Sequence, residues 1–185
     1  MTHIDRRHLG TPRTETFLDG ESLVQRQAED GSELHRIALG EVRRVRLAVE
    51  MAAQARQVVC RVTGPDGREI AFGSMRFVSP GVFEDVVESF QPLLRALHTG
   101  LMPHRERIEF LEGQSVAFMW AMFLLSGSIA LLAAIFLIVL FFIQEQPMGL
   151  FLAPIAGIGI WLAGLFRPRK PALYDPAKYA GDLDQ

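Results

Sequence analysis

FFIQEQPMGLF, residues 141–151, decides how this chain is read. Gln144, Glu145 and Gln146 are its only strongly polar residues, Pro147 closes the group, and both flanks are apolar. On the N-terminal side lies SVAFMWAMFLLSGSIALLAAIFLIVLFFI, residues 115–143, with no formal charge. On the other lies MGLFLAPIAGIGIWLAGLF, residues 148–166, also uncharged. A membrane span needs about 20 apolar residues, so each run is long enough for one, and the first is long enough to tilt or project. The competing picture, two long buried core helices, fails because a polar part of about 115 residues is too small to cover both. The break at 144–147 therefore reads as the tight turn of a transmembrane hairpin.

Charge sets its direction. Arg105 and Arg107 precede the first run, Arg167, Arg169 and Lys170 follow the second, and the turn holds one acid and no base. Positive flanks mark the cytoplasmic side, so both termini are expected there and the turn outside. The RPRK stretch at 167–170 is either an orienting signal or a patch for anionic lipid. Within the runs, Ser126, Gly127, Gly149, Ala153 and Gly157 are candidate helix–helix contacts, Gly149–Ala153 and Ala153–Gly157 having small-xxx-small spacing. Gly157 and Gly159 are close enough to allow tight backbone approach, though not at GxxxG spacing. Pro154 is a place for a kink. Trp120 and Trp161 are either interfacial anchors or packing residues.

The rest of the chain differs in kind. Residues 1–115 hold 15 Arg and no Lys against 17 Asp plus Glu, and the whole chain carries a net charge of −2. That balance does not favour nucleic acid. The lone cysteine, Cys60, excludes an internal disulfide and sits in an apolar run, as a buried thiol does. The first residues lack a signal-peptide core, so the polar part is expected to stay where it is made.

Residues 1–14 read as flexible. Strands are expected over 21–29 and 34–39, joined by the acidic turn Asp30–Glu33. VRRVRLAVE, 42–50, alternates, with Val45, Leu47 and Val49 on one face and Arg44, Arg46 and Glu50 on the other. Val58, Cys60 and Val62 repeat the pattern, Gly64-Pro65-Asp66-Gly67 turns the chain, and Ile70 and Phe72 resume it. After Gly73 the apolar phase moves to Met75 and Phe77, which predicts a bulge or bend. A helix is expected from Ser79-Pro80, with Ser79 as cap, to a stop at Gly100. Its apolar stripe is Phe83, Val86, Val87, Phe90, Leu94 and Leu97, with Pro92 as an internal flaw. The linker, 103–114, reads equally as helix or strand, and the tail, 167–185, as disordered, with Tyr174 and Tyr179 able to dock on a partner or on the chain itself.

HRIALGEVRRVRLAV, VVCRVTGPDGREIAF and FEDVVESFQPLLRALHTGL, in that order, resemble the bacterial PH-like (pleckstrin-homology-like) domains of small membrane proteins. The resemblance covers about residues 17–100, within an expected cytoplasmic domain at 15–102, and implies an α+β membrane protein: a bent antiparallel sheet with a C-terminal helix, then the hairpin, in a bacterial inner membrane. Relatives that bind phosphoinositides use a basic first hairpin loop. Residues 29–33 here are acidic, so that activity is not carried over.

No phosphate loop, zinc motif, paired cysteines or nucleophile elbow is present, so no enzyme activity, cofactor, metal or small-molecule substrate is expected. His98, at the end of the expected helix, is assigned to terminal carbonyls rather than to proton transfer. Neither span holds an acid or base of the kind an ion pathway uses. The expected role is a non-catalytic accessory or assembly subunit of a larger membrane complex, with other membrane proteins as partners and anionic lipid at Arg105, Arg107, Arg167, Arg169 and Lys170. The alternatives are a membrane-anchored recognition domain for a soluble protein or peptide, and an enzyme with an unrecognised site.

Overall fold

The computed structural model describes residues 2–52 and 55–180. The chain is an α+β protein with three sheets, and it divides into two compact units: residues up to Gly113 together with those from Ala172, and Gln114–Pro171 between them.

In the first unit, β1 (Thr2–Asp5), β2 (Thr14–Asp19), β3 (Ser22–Gln27) and β4 (Glu33–Ala38) form an antiparallel sheet in chain order. The N-terminus, expected to be flexible, is thus an ordered strand. It was missed because its inward residues, His3 and Asp5, are polar, whereas burial is read from apolar alternation. A second sheet has the order β11-β10-β5-β6-β7, built from β5 (Arg44–Ala52), β6 (Ala55–Thr63), β7 (Glu69–Gly73), β10 (Glu109–Glu112) and β11 (Ala172–Leu173). Leu47 faces Cys60, Cys60 faces Phe72, and all three are buried. The turn after β6 holds Gly67 at φ 80°, where a side chain would be strained.

Alternation in β5 holds only to Leu47. Beyond it Val49 is 55% exposed while Ala48 is buried. The core ends on the Val49 side. On the Ala48 face, Arg7 of the N-terminal segment reaches Glu50, which also accepts from Arg61.

The phase change after Gly73 marks a change of sheet. β8 (Met75–Ser79) and β9 (Val82–Asp85) form a separate hairpin. Its turn uses Pro80 and then Gly81 at φ 79°. Proline followed by a positive-φ glycine suits a tight turn as well as proline suits a first helical turn, so the helix expected from Ser79 starts later. It is α1 (Val87–Leu101); its N-cap, Val86, offers no side-chain cap, and just before it the Asp85 carboxylate accepts from the Val87 N–H at 2.8 Å. Phe90, Leu93, Leu94, Leu97 and Leu101 form its buried stripe, and Pro92 lies inside it. Gly100 does not stop α1. A Cβ there would lie 2.8 Å from Leu39 Cδ1, so the glycine permits close packing instead.

Residues 102–107 form a 3-10 segment, and the expected linker then contributes β10, parallel to β5 with Glu109 opposite Arg44. Of the two readings left open, the strand is the one adopted. The tail returns to pair antiparallel with it, Glu112 opposite Ala172. Residues 113–171 are therefore an insertion between two paired strands.

That insertion is a helix pair. α2 (Val116–Ile138) begins at the Ser115 cap and continues through a π-helical turn to Ile143; α3 (Leu152–Leu165) follows a 3-10 segment, Pro147–Phe151. Pro154 is the third residue of α3. The continuous helical stretches, 28 and 19 residues, are both long and apolar enough to cross a membrane. At 1.5 Å per residue they reach roughly 42 and 28 Å. The tip, Gln144–Gln146, places Glu145 at φ 51°, and its backbone is held by Gln144 N–H to Val139 and Gln146 N–H to Leu140 at 2.8 Å.

Candidate functional site

The densest side-chain constellation joins α1, β10 and the tail. His98 is fully buried; its Nδ1–H donates to the Leu94 carbonyl at 2.8 Å. A carbonyl only accepts, so Nε2 is the bare nitrogen, and it accepts from the Tyr174 hydroxyl at 2.8 Å. Burial holds His98 below the usual imidazole range, which agrees with this neutral form. It also pushes the Tyr174 hydroxyl well above the phenol range. Phe110 and Tyr179 complete an aromatic group around the imidazole, with ring centroids 6.1 and 5.3 Å away. His98 thus bonds a helix carbonyl, and the tail expected to be disordered is docked through residue 180 on the chain's own core.

Beside this group is an open cleft of about 260 Å³ lined by Arg105, Ile108, Phe110, Leu173, Tyr174 and Pro176. It lies wholly within the first unit. Its one formal charge is Arg105, which has no ion-pair partner among the described residues. Many other arginines are neutralised: Arg7 and Arg61 by Glu50, Arg36 by Asp19 and Glu33, Arg44 by Glu109, and Arg26 by Glu15.

A second polar group is sealed in the core under β1. Ser89 Oγ–H donates to the Val86 carbonyl, so His3 Nδ1–H donates to Ser89 Oγ at 2.9 Å. Asp5 Oδ2 accepts from the Gly73 N–H at 2.9 Å. His3 Nε2 and Asp5 Oδ1 meet no partner among the described residues. Burial pushes His3 down to about 4 and Asp5 up to about 6, each toward its uncharged form. Both side chains are fully covered, so the pair holds protons but offers no face to a substrate.

The residues singled out in the sequence separate by unit. Arg105 and Arg107 are exposed on the 3-10 segment of the first; Arg167, Arg169 and Lys170 are exposed after α3 in the second. In the helix pair, Ser126 and Gly149 lie in the buried seam, whereas Ala153 and Gly157 face outward and Gly127 has open space beside it. The seam partners of Ser126 and Gly149 are Ala130 and Ala133, which were not singled out, and Gly159, expected to allow close approach. A Cβ on Gly159 would lie 2.9 Å from Ala130 Cβ. Ser126, Ala130 and Ala133 are spaced four and three apart, as are Gly149, Leu152, Ala156 and Gly159 in the order three, four, three. That 3.5-residue period was the available signal, and it points to a coiled-coil-like seam rather than a GxxxG crossing. Bulky residues point away from it: Leu131, Phe151 and Trp161 are 62, 77 and 65% exposed.

Among the described residues no group of three metal-ligating side chains converges. Cys60 is buried, and burial pushes its thiol up, away from the reactive thiolate. Compared with family models, curated proteins and solved structures, the chain matches none.

Proposed function

We propose that this chain is a membrane-anchored docking subunit: the helix pair spans the bilayer as a hairpin, and the α+β unit presents a cytoplasmic surface to other membrane proteins of a larger assembly. One observation carries the reading. An apolar helix pair with bulky residues exposed on its outer faces is inserted between two strands paired at Glu112 and Ala172. Such outer faces favour hydrocarbon over water. An insertion that leaves from and returns to one strand pair has both ends on one side, as a hairpin does. The basic residues at 105, 107, 167, 169 and 170 make that side cytoplasmic.

Two antiparallel meanders, β2-β3-β4 and β5-β6-β7, followed by α1, support a PH-like reading of the first unit. β1, the β8–β9 hairpin, the parallel β10 and β11 are additions to that pattern. The loop at 29–33 keeps its acids, with Asp30 Oδ1 accepting from the Ser32 N–H, so the reading includes no headgroup site there.

The test is extraction from native membranes in a mild detergent, followed by native gel electrophoresis and mass spectrometry. A discrete complex of fixed stoichiometry containing other spanning proteins is expected. Release of the chain by carbonate washing, or its migration as an isolated monomer, overturns the assignment. A second reading rests on β4, which pairs only with β3 among the described strands and leaves an edge for an added strand. A soluble partner held by the first unit in place of spanning proteins would favour it.

A further inference from the structure

We propose that the cleft lined by Arg105, Ile108, Phe110, Leu173, Tyr174 and Pro176 binds the phosphate-bearing end of an anionic membrane glycerophospholipid. This rests on the reading of residues 116–165 as membrane-spanning and assigns a ligand that the spans alone do not.

The first argument is chemical. The cleft combines one exposed guanidinium with walls from Ile108, Phe110, Leu173 and Pro176. A guanidinium matches two phosphate oxygens at once, and apolar walls beside it suit the carbon chain that a phosphodiester carries in a lipid. Of the nearby acids, Glu109 pairs with Arg44 and Asp175 accepts from the Ala177 N–H, while Glu112, on the Tyr174 side, helps raise that hydroxyl and leaves Arg105 as the cation an anion would meet.

The second is size. At about 260 Å³ the cleft is smaller than the roughly 300–1,000 Å³ of sites that enclose a small molecule. Being open, it suits one end of a larger molecule whose remainder lies outside. Leu173, 79% exposed at its rim, offers that remainder an apolar contact.

The third is reach. Phe110 precedes Val116, the first residue of α2, by six positions. Only that short stretch of chain joins the cleft's floor to the residues read as spanning. Lipid headgroups are therefore the phosphates at highest local concentration. Arg105 carries the anion contact, and Leu173 the apolar one.

The experiment uses the full-length protein in mild detergent and native mass spectrometry, with dioleoylphosphatidylglycerol and dioleoylphosphatidylcholine added at equal concentration. The wild type is expected to retain the anionic lipid at least five-fold over the neutral one. Arg105→Gln, an exposed position whose change leaves the core intact, is expected to remove that preference, and Leu173→Asp to weaken retention. Unchanged retention in Arg105→Gln overturns the proposal. So does equal competition by glycerol 3-phosphate, which would mark a site for a soluble phosphate. Flotation of the same proteins with neutral phosphatidylcholine vesicles separates the two readings. Failure of the wild type to float overturns the membrane assignment, whereas flotation without a lipid preference overturns only the cleft.

Discussion

Gly159 stands where a methyl group would lie 2.9 Å from Ala130 Cβ and 3.0 Å from its Cα, so the helix pair approaches there with no side chain between backbones. Gly159→Leu is expected to cost about 1–3 kcal/mol through forced separation. Gly157→Leu, facing outward, is expected to cost less than about 1 kcal/mol; thermal unfolding of both in detergent is the measurement. Tyr174→Phe keeps the ring and removes the donor to His98 Nε2. A buried nitrogen left unpaired costs about 1–3 kcal/mol, read as a lower melting temperature with faster proteolysis of the tail. Asp5 and His3 pull stability in opposite directions with pH. Asp5 rises from 3.8 to about 6 on folding, so its contribution is lost as pH rises through that window. His3 falls from 6.5 to about 4, so its contribution is lost as pH falls through the overlapping window. Asp5→Asn removes the compensating limb. The variant is expected to lose about 2 kcal/mol more than the wild type between pH 6.5 and 4, by denaturation at stepped pH. Gly159 was legible as a glycine open to close approach and Tyr174 as a ring able to dock on the chain itself, but neither partner was, and His3 and Asp5 were not legible at all. A polar residue facing inward has no signature in a hydrophobic pattern, and Gly159 falls outside the four-residue spacing used to look for close contacts.

At the scale of elements, legibility followed burial on one apolar face. The β6–β7 hairpin has Val62 opposite Ile70 and Cys60 opposite Phe72, and a Gly-Pro-Asp-Gly turn, so pattern and turn chemistry agree. β5 shows the limit: its alternation was right to Leu47 and failed at Val49, because an N-terminal segment with no apolar pattern covers the other face. The start of α1 failed for a different reason. Ser79-Pro80-Gly81 satisfies two local rules, and only the pairing of Phe77 with Phe83 selects the turn. β10 was left open between helix and strand and β11 lay in a tail read as disordered, because a strand of two to four residues carries too few side chains to show a period. The tail's role predicts a result. Truncation after Pro171 removes Tyr174 and the strand beside β10, uncovering Phe110 and His98. The truncated protein is expected to melt at least 5 °C lower, and amide exchange over 98–112 to rise, measured by hydrogen–deuterium exchange in detergent.

For the whole molecule, composition alone separated a polar part, two uncharged runs and a polar tail, whereas the structure has two compact units bounded at 113 and 172, with the tail in the first. What composition did not contain was the return. The second boundary is a re-entry into the first unit's sheet, and nothing in residues 167–173 distinguishes re-entry from a free tail. The hairpin reading makes a labelling prediction. Cys60 is buried, so a cysteine introduced at Gln146 is the one expected to react with a membrane-impermeant maleimide added to intact cells. A cysteine at Leu173, exposed in this fold, is expected to react only after the membrane is opened. The reverse pattern would invert the orientation.

The strand that finishes the second sheet is made last. Between Glu112 and Ala172 the ribosome must add 59 residues, nearly all of them belonging to the helix pair. At 5–20 residues per second that is a delay of roughly 3–12 s, during which His98 lacks its phenol and Phe110 its cover. The first unit therefore reaches its final state only after the apolar insertion has been synthesised, and completion of one half waits on the making of the other.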